Sequence, residues 1–154
     1  MKLRLLSITH KIPTWVNEAF QDYAKRLPHY LLEPIDIAAE KRGTNCDINQ
    51  IRERESNKLL ASTKPHHLVI ALDMHGKHLT TEMLAQQVAN WQMDGQTVNF
   101  LIGGPDGLSQ TCLKKANWCW SLSKLTFPHF LVRLIIIEQI YRVHSLLIGH
   151  PYHR

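Results

Sequence analysis

The chain has 154 residues, 44% of them apolar, and carries 18 Lys/Arg against 13 Asp/Glu for a formal net charge of +5. At this length folding buries roughly 70% of the surface that the unfolded chain exposes, so one domain over residues 1–154 is expected and no metal or disulfide is required to hold it. Cys46, Cys112 and Cys119 are odd in number and form no Cys-x-x-Cys pair, and the apolar run at Met1-Lys2-Leu3-Arg4-Leu5-Leu6 is too short for a signal peptide, so reduced thiols and a cytoplasmic location are expected.

In chain order, branched apolar runs predict strands at residues 3–8, 31–38, 67–72, 97–102 and, more weakly, 120–127. Pro13 suits a first-turn position ahead of Trp15, Val16, Ala19, Phe20 and Tyr23, which are spaced to cover one helix face. Asn45 or Asp47 is placed to cap a helix through Ile48, Ile51, Leu59 and Leu60. Thr80 or Thr81 is placed to cap one carrying Leu84, Val88 and Trp91 and ending at Gly95. Ser109 suits the cap of a short helix through Leu113, Ala116 and Trp120. The longest helix is expected over residues 130–148, closed by Gly149 and Pro151. Arg133, Glu138 and Arg142 interrupt its apolar run, so no membrane span is expected. Strands alternating with helices predict an α/β fold around a largely parallel sheet.

The charge is unevenly placed. Residues 1–107 hold twelve Lys/Arg and twelve Asp/Glu, whereas residues 108–154 hold six cations against Glu138 alone. A basic end on a neutral body fits a polyanionic partner such as nucleic acid, and also fits plain solubilising charge. Lys41 and Arg42 lie in the most loop-like segment, where a surface connection and a phosphate contact are equally open.

Gly103-Gly104-Pro105-Asp106-Gly107 follows a strand and precedes a helix, where α/β proteins bind ligands. It is neither the dinucleotide fingerprint nor a P-loop, which needs a Lys-Ser/Thr. Glycines there let a ligand approach the backbone, and a tight strand-to-helix turn accounts for them equally well. Leu122-Ser123-Lys124-Leu125-Thr126-Phe127-Pro128-His129 reads on its own as an edge strand ended by Pro128. Its backbone groups also suit an adenine edge. On the last helix Glu138 and Arg142 stand at i, i+4. A charge pair on so apolar a helix favours a pocket or a subunit contact. His150-Pro151-Tyr152-His153-Arg154 combines an aromatic ring, imidazoles and a guanidinium, the means to stack on a base, exchange a proton and contact phosphate. No histidine or cysteine spacing suits zinc, and no nucleophile elbow is present, so neither a metal nor covalent catalysis is expected.

Taken together, the segments Leu72-Asp73-x-x-Gly76-Lys77, 101–109, 122–133, 138–142 and Pro151-Tyr152-His153 resemble the ribosomal large subunit methyltransferase H family of the SPOUT superfamily. The likeness spans the whole chain, with Asp106 standing where that family usually has Glu. It implies a SPOUT-type α/β domain with a C-terminal trefoil knot, acting as a homodimer without metal or membrane. It implies a bent S-adenosylmethionine held by Leu72, by Gly103 beside Gly104, and by Leu122, Ser123, Lys124, Leu125, Thr126 and Phe127. The implied substrate is a pseudouridine in helix 69 of 23S ribosomal RNA, methylated at N3 on the assembled ribosome. Within that frame His153 is expected to receive the N3 proton, Arg142 and Arg154 to position the RNA, and Tyr152 to pack on a base. The competing expectations are a non-catalytic RNA-binding module, for which Gly104-Pro105-Asp106-Gly107 is formally a Gly-x-x-Gly clamp, and a structural dimer built on the apolar last helix.

Overall fold

In the computed structural model, which describes residues 1–153 and of His153 the backbone alone, five strands alternate with five helices. They are β1 (Lys2–Thr9), α1 (Thr14–Lys25), β2 (Leu31–Ala38), α2 (Ile48–Ala61), β3 (Leu68–His78), α3 (Thr81–Met93), β4 (Thr97–Ile102), α4 (Gln110–Lys115), β5 (Trp118–Ser121) and α5 (His129–Leu147). A 3-10 turn, Pro151–His153, follows. The strands form one sheet in the order β2-β1-β4-β3-β5, and every pairing is parallel. The expected α/β architecture is therefore present.

Alternation along the strands builds two apolar layers. Leu3, Leu5, Ile70, Val98, Phe100 and Ile102 pack against Phe20 of α1, Leu84, Val88 and Trp91 of α3, and Ile136, Ile137, Ile140 and Val143 of α5. From the other face Leu6, Ile8, Val69, Ala71 and Leu101 meet Leu59 of α2 and Cys112 of α4. Covering both faces explains why the central strands read as continuous apolar runs. Each fully buried Leu, Ile, Val or Phe contributes about 1.5–3 kcal/mol.

Local chemistry sets the helix ends. Asp47 caps α2, its carboxylate accepting from the amides of Asn49 and Gln50 at 2.9 and 3.3 Å. Thr80 caps α3 by accepting from the Met83 amide at 3.2 Å, and Ser109 caps α4 through Cys112 at the same distance. Gly95 after α3 and Gly149 after α5 take positive φ, +63° and +72°.

Three expectations need correction. Pro13 precedes α1 as its N-cap residue and is not inside the first turn. The short helix after Ser109 stops at Lys115, because Asn117 already pairs with β3: its amide donates to the Val69 carbonyl at 2.8 Å and its side-chain oxygen accepts from the Val69 amide at 2.7 Å. Trp120 thus belongs to β5. That strand ends at Ser121, and residues 122–128 form a loop where an edge strand was expected. Serine hydroxyls turn the chain out of the sheet there: Ser121 donates to the Ser123 carbonyl at 3.0 Å, and Ser123 accepts from the Leu125 amide at 2.9 Å.

β3 also outruns its expected end. Its pairing with β5 breaks after Leu72 and resumes at Lys77, leaving Asp73, Met74, His75 and Gly76 as a bulge.

Candidate active site

The carboxyl ends of β3 and β4 open into a cavity of about 1000 Å³. Its walls are the β3 bulge, the glycine loop after β4, the loop after β5 and the first turn of α5. This is where an open parallel sheet offers space for a ligand, and the size suits a nucleoside-sized molecule. Of the residues expected to hold a cofactor, Leu72, Gly103, Gly104, Leu122, Ser123, Leu125, Thr126 and Phe127 all line it. Lys124 is exposed and forms no part of the lining.

The glycine loop is both a tight turn and a cavity wall, so the two readings of its sequence merge. Gly104 and Gly107 form an antiparallel bridge, with the Gly107 amide donating to the Gly104 carbonyl at 3.0 Å. Gly107 has φ +75°, and a Cβ on Gly103 would sit 2.7 Å from the Gly107 carbonyl carbon. Backbone cannot retreat from such a contact, so Gly103 must be glycine and the wall it offers is bare main chain. The loop joins a strand to a helix, which separates it from the helix–helix clamp of a KH module.

Three lining residues were not singled out from sequence. His129, the first residue of α5, places Nε2 3.2 Å from the Thr9 hydroxyl. Burial, with Arg133 and His10 nearby, lowers its pKa below the usual imidazole value, so it is neutral at physiological pH. Asp73 and His75 share the bulge, the Asp73 carboxylate accepting from the His75 amide at 2.9 Å and lying 3.2 Å from its Nδ1. The position of His129 directly after the pocket loop was the available clue. Asp73 stood in a segment that carries the family resemblance but had no role assigned, and His75 gave no sign until the bulge was known.

The other expected functional residues form a second cluster. Arg142 donates from Nε and Nη2 to one Glu138 oxygen at 3.0 and 2.5 Å, and from Nη1 to the Tyr152 carbonyl at 3.3 Å. Its guanidinium lies 5.1 Å from the Tyr152 ring centre, and Tyr152 packs edge-on against Tyr141. The Tyr152 hydroxyl is 3.3 Å from that of Tyr23 and 3.4 Å from Glu138 Oε1. The hydrogen bond with Tyr23, then burial and the Glu138 charge, raise the Tyr152 pKa against the opposing charge of Arg142. Glu138 likewise raises that of Arg142. The expected charge pair on the last helix is thus made and half-exposed.

None of Glu138, Arg142 and Tyr152 lines the cavity. His129 and Val132 do, and Arg142 is ten residues beyond Val132 along the same helix, roughly 15 Å at 1.5 Å per residue. Within one chain the cavity and the cluster of Glu138, Arg142 and Tyr152 are therefore apart. The side chain of His153, and Arg154 altogether, lie outside the described residues.

Among the described residues no group of His, Cys, Asp and Glu suits a metal ion, and no helix is long and apolar enough to cross a membrane.

The family described as "Predicted SPOUT methyltransferase" matches residues 1–153. Over the full length of both chains the protein is 44% identical to the ribosomal RNA large subunit methyltransferase H of Marinomonas sp. (strain MWYL1). It is 43% identical, again end to end, to the proteins of that name from Pseudomonas putida strains W619 and F1. Enzymes of this kind take their methyl group from S-adenosylmethionine, and a cavity walled by bare glycine backbone and half-buried apolar side chains fits that cofactor's nucleoside and aliphatic parts. With all of its length but the last residue accounted for, the chain belongs to the SPOUT methyltransferases.

Proposed function

We propose that this chain methylates N3 of a pseudouridine in helix 69 of 23S ribosomal RNA, acting as a homodimer on the assembled ribosome in the cytoplasm. The observation that carries the reading is the coincidence of one cavity with nearly all the residues assigned to cofactor binding, in a chain whose full-length relatives are named for the ribosomal large subunit. Bound S-adenosylmethionine supplies an electrophilic methyl group. Gly103 and Gly104 admit it against the backbone, Leu72, Leu122 and Phe127 give it apolar walls, and Ser123 and Thr126 offer hydroxyls at the lip. The chain from β5 through residues 122–128 into α5 is read as the threaded crossing of a trefoil knot.

N3 of the acceptor lies between two carbonyls and bears a proton, so a group must take that proton or stabilise the anion. His153 is assigned that part, with Arg142 and Arg154 on the RNA and Tyr152 packed on a base. Because Arg142 lies ten residues, about 15 Å, along α5 beyond Val132, the last residue of that helix to line the cavity of its own chain, and Tyr152 is held beside Arg142, the tail is assigned to the cavity of a second copy. Support for a second copy comes from the outer side of α5, where Leu131, Leu134 and Ile135 are only half-buried, and from Trp15 beside Phe130, half-exposed at 52%. An apolar strip of that kind is what a subunit contact covers.

The test incubates the protein and labelled S-adenosylmethionine with ribosomes lacking the modification and maps the labelled base by mass spectrometry. Label at N3 of one pseudouridine in helix 69 is expected, and His153→Ala is expected to cut turnover about 10²–10⁴-fold with cofactor affinity kept. Label elsewhere in the RNA, or none, overturns the substrate; full turnover in the variant reassigns the base.

A further inference from the structure

The glycine loop is fastened from below by a partly buried ion network that the methyl-transfer assignment leaves unused. Arg42, in the connection between β2 and α2, donates from Nη1 and Nη2 to the two carboxylate oxygens of Glu55 at 3.0 and 3.1 Å. From Nε the same guanidinium donates to Asp106 Oδ2 at 2.9 Å, and Nη2 lies 2.8 Å from that oxygen. Its remaining reach is used on the Glu40 carbonyl at 3.1 Å. Glu55 is 1% exposed and also accepts from the Glu40 amide at 2.9 Å. Arg42 is therefore committed inward, which closes the option of a phosphate contact for that residue.

Glu55 lies directly under the cofactor loop: a Cβ on Gly104 would be 3.0 Å from its Oε2 and from Ile8 Cγ2. The next residue of α2, Ser56, accepts from the Ser109 amide at 2.8 Å, in a fully buried bond at the far end of the same loop. Two consecutive residues of α2 thus hold both sides of one turn. Ser56 acts directly, and Glu55 acts through Arg42 on Asp106. Bidentate carboxylate–guanidinium geometry fixes direction as well as distance. A buried carboxylate with a single cationic partner makes that partner hard to move.

We infer that Glu55, Arg42 and Asp106 form a clamp that sets the position of the Gly103–Gly107 turn and thereby the affinity for S-adenosylmethionine; Arg42 and Glu55 are positioning residues. The inference rests on the reading of the cavity as the cofactor site. Glu55 supplies buried negative charge, Arg42 relays it, and Asp106 is the handle on the loop. Neutralising the handle frees the turn without leaving a buried charge unpaired, because Glu55 keeps Arg42. Asp106→Asn is accordingly the informative variant, and Arg42→Met combined with Glu55→Gln removes the buried carboxylate and its cationic partner together.

The experiment is calorimetric titration with S-adenosylmethionine of the wild-type chain, Asp106→Asn, Asp106→Glu, the double variant and Thr126→Trp, which fills the cavity from the loop after β5, with a thermal melt of each. Asp106→Asn is expected to melt near wild type yet bind the cofactor on the order of 10- to 100-fold more weakly, and Asp106→Glu, which keeps the charge, to recover the affinity. Wild-type affinity in both Asp106→Asn and the double variant, with Thr126→Trp losing it, overturns the clamp and leaves the site standing. An affinity loss that appears only in step with a lowered melting temperature, and that Asp106→Glu does not recover, makes the network a stability device and equally overturns the inference. A wild-type chain without affinity, or undiminished binding in Thr126→Trp, removes the site reading and the clamp with it.

Discussion

Gly76 shows how one residue fixes the shape of the site. A Cβ there would lie 2.7 and 2.8 Å from the carbonyl carbon and oxygen of Cys119, and 2.8 Å from the carbonyl carbon of Trp120. All are main-chain atoms of the neighbouring strand, so no rotamer change relieves the clash. Gly76→Ala is expected to prise β3 from β5 and to destabilise the fold by about 1–3 kcal/mol, read as a lowered denaturant midpoint. An unchanged midpoint would mean that the two strands are less closely apposed than described. Local residues of this type were partly legible. Asp47, Thr80 and Ser109 cap the helices they were placed to cap, because a cap is decided within three residues. Arg42 was not legible, because its partner Asp106 is 64 positions away and only the fold brings the two together.

Among the elements, α5 is the one in which competing effects are best resolved. Arg133 is buried within it and donates from Nη2 to Asp36 of β2, so the cation that interrupts the apolar run is paired internally, while its buried Nε has no hydrogen-bond partner among the described residues. His129 opens the helix and His144 lies in its last turn. The positive end of the helix dipole opposes a charge on His129, while the negative end favours one on His144. Yet both pKa values are lowered, in each case first by burial, with Arg133 and His10 adding to it at His129 and His29 at His144. At His144, then, burial outweighs the dipole. The sign for stability follows: the unfolded chain protonates these imidazoles at their ordinary pKa while the folded chain resists, so below that pKa the unfolded state binds more protons and stability falls as pH falls. The denaturant midpoint is expected to drop between about pH 7.5 and pH 5.5, and the drop to be shallower in the double variant His129→Asn, His144→Gln. An equal drop in both proteins would assign it to other groups. The boundary between α4 and β5 was misread for the opposite reason from the caps: Leu113, Ala116 and Trp120 keep helical spacing, and only the pairing of Asn117 with Val69, 48 residues apart, draws Trp120 into the sheet.

At the scale of the whole molecule, the alternating strands and helices declared a parallel α/β fold because each central strand is apolar on both faces. The strand order was not declared, since nothing in a run such as Thr97–Ile102 names its neighbours. The residues that the resemblance assigns to the cofactor are, Lys124 apart, gathered on one cavity. Arg142 and Tyr152 were singled out in the sequence as well, but their separation from that cavity was not legible there: it depends on the length of α5, His129–Leu147. That separation makes a strong demand. If the account holds, a working site takes its cavity from one chain and its terminal residues from another. Thr126→Trp disables the cavity and leaves the tail intact; His153→Ala does the reverse. Mixed after unfolding and refolding together, the two inactive chains are expected to recover about a quarter of wild-type activity, since half of randomly paired dimers carry one complete site of two. A mixture as inactive as either chain alone would place cavity and tail in the same subunit and contradict the account.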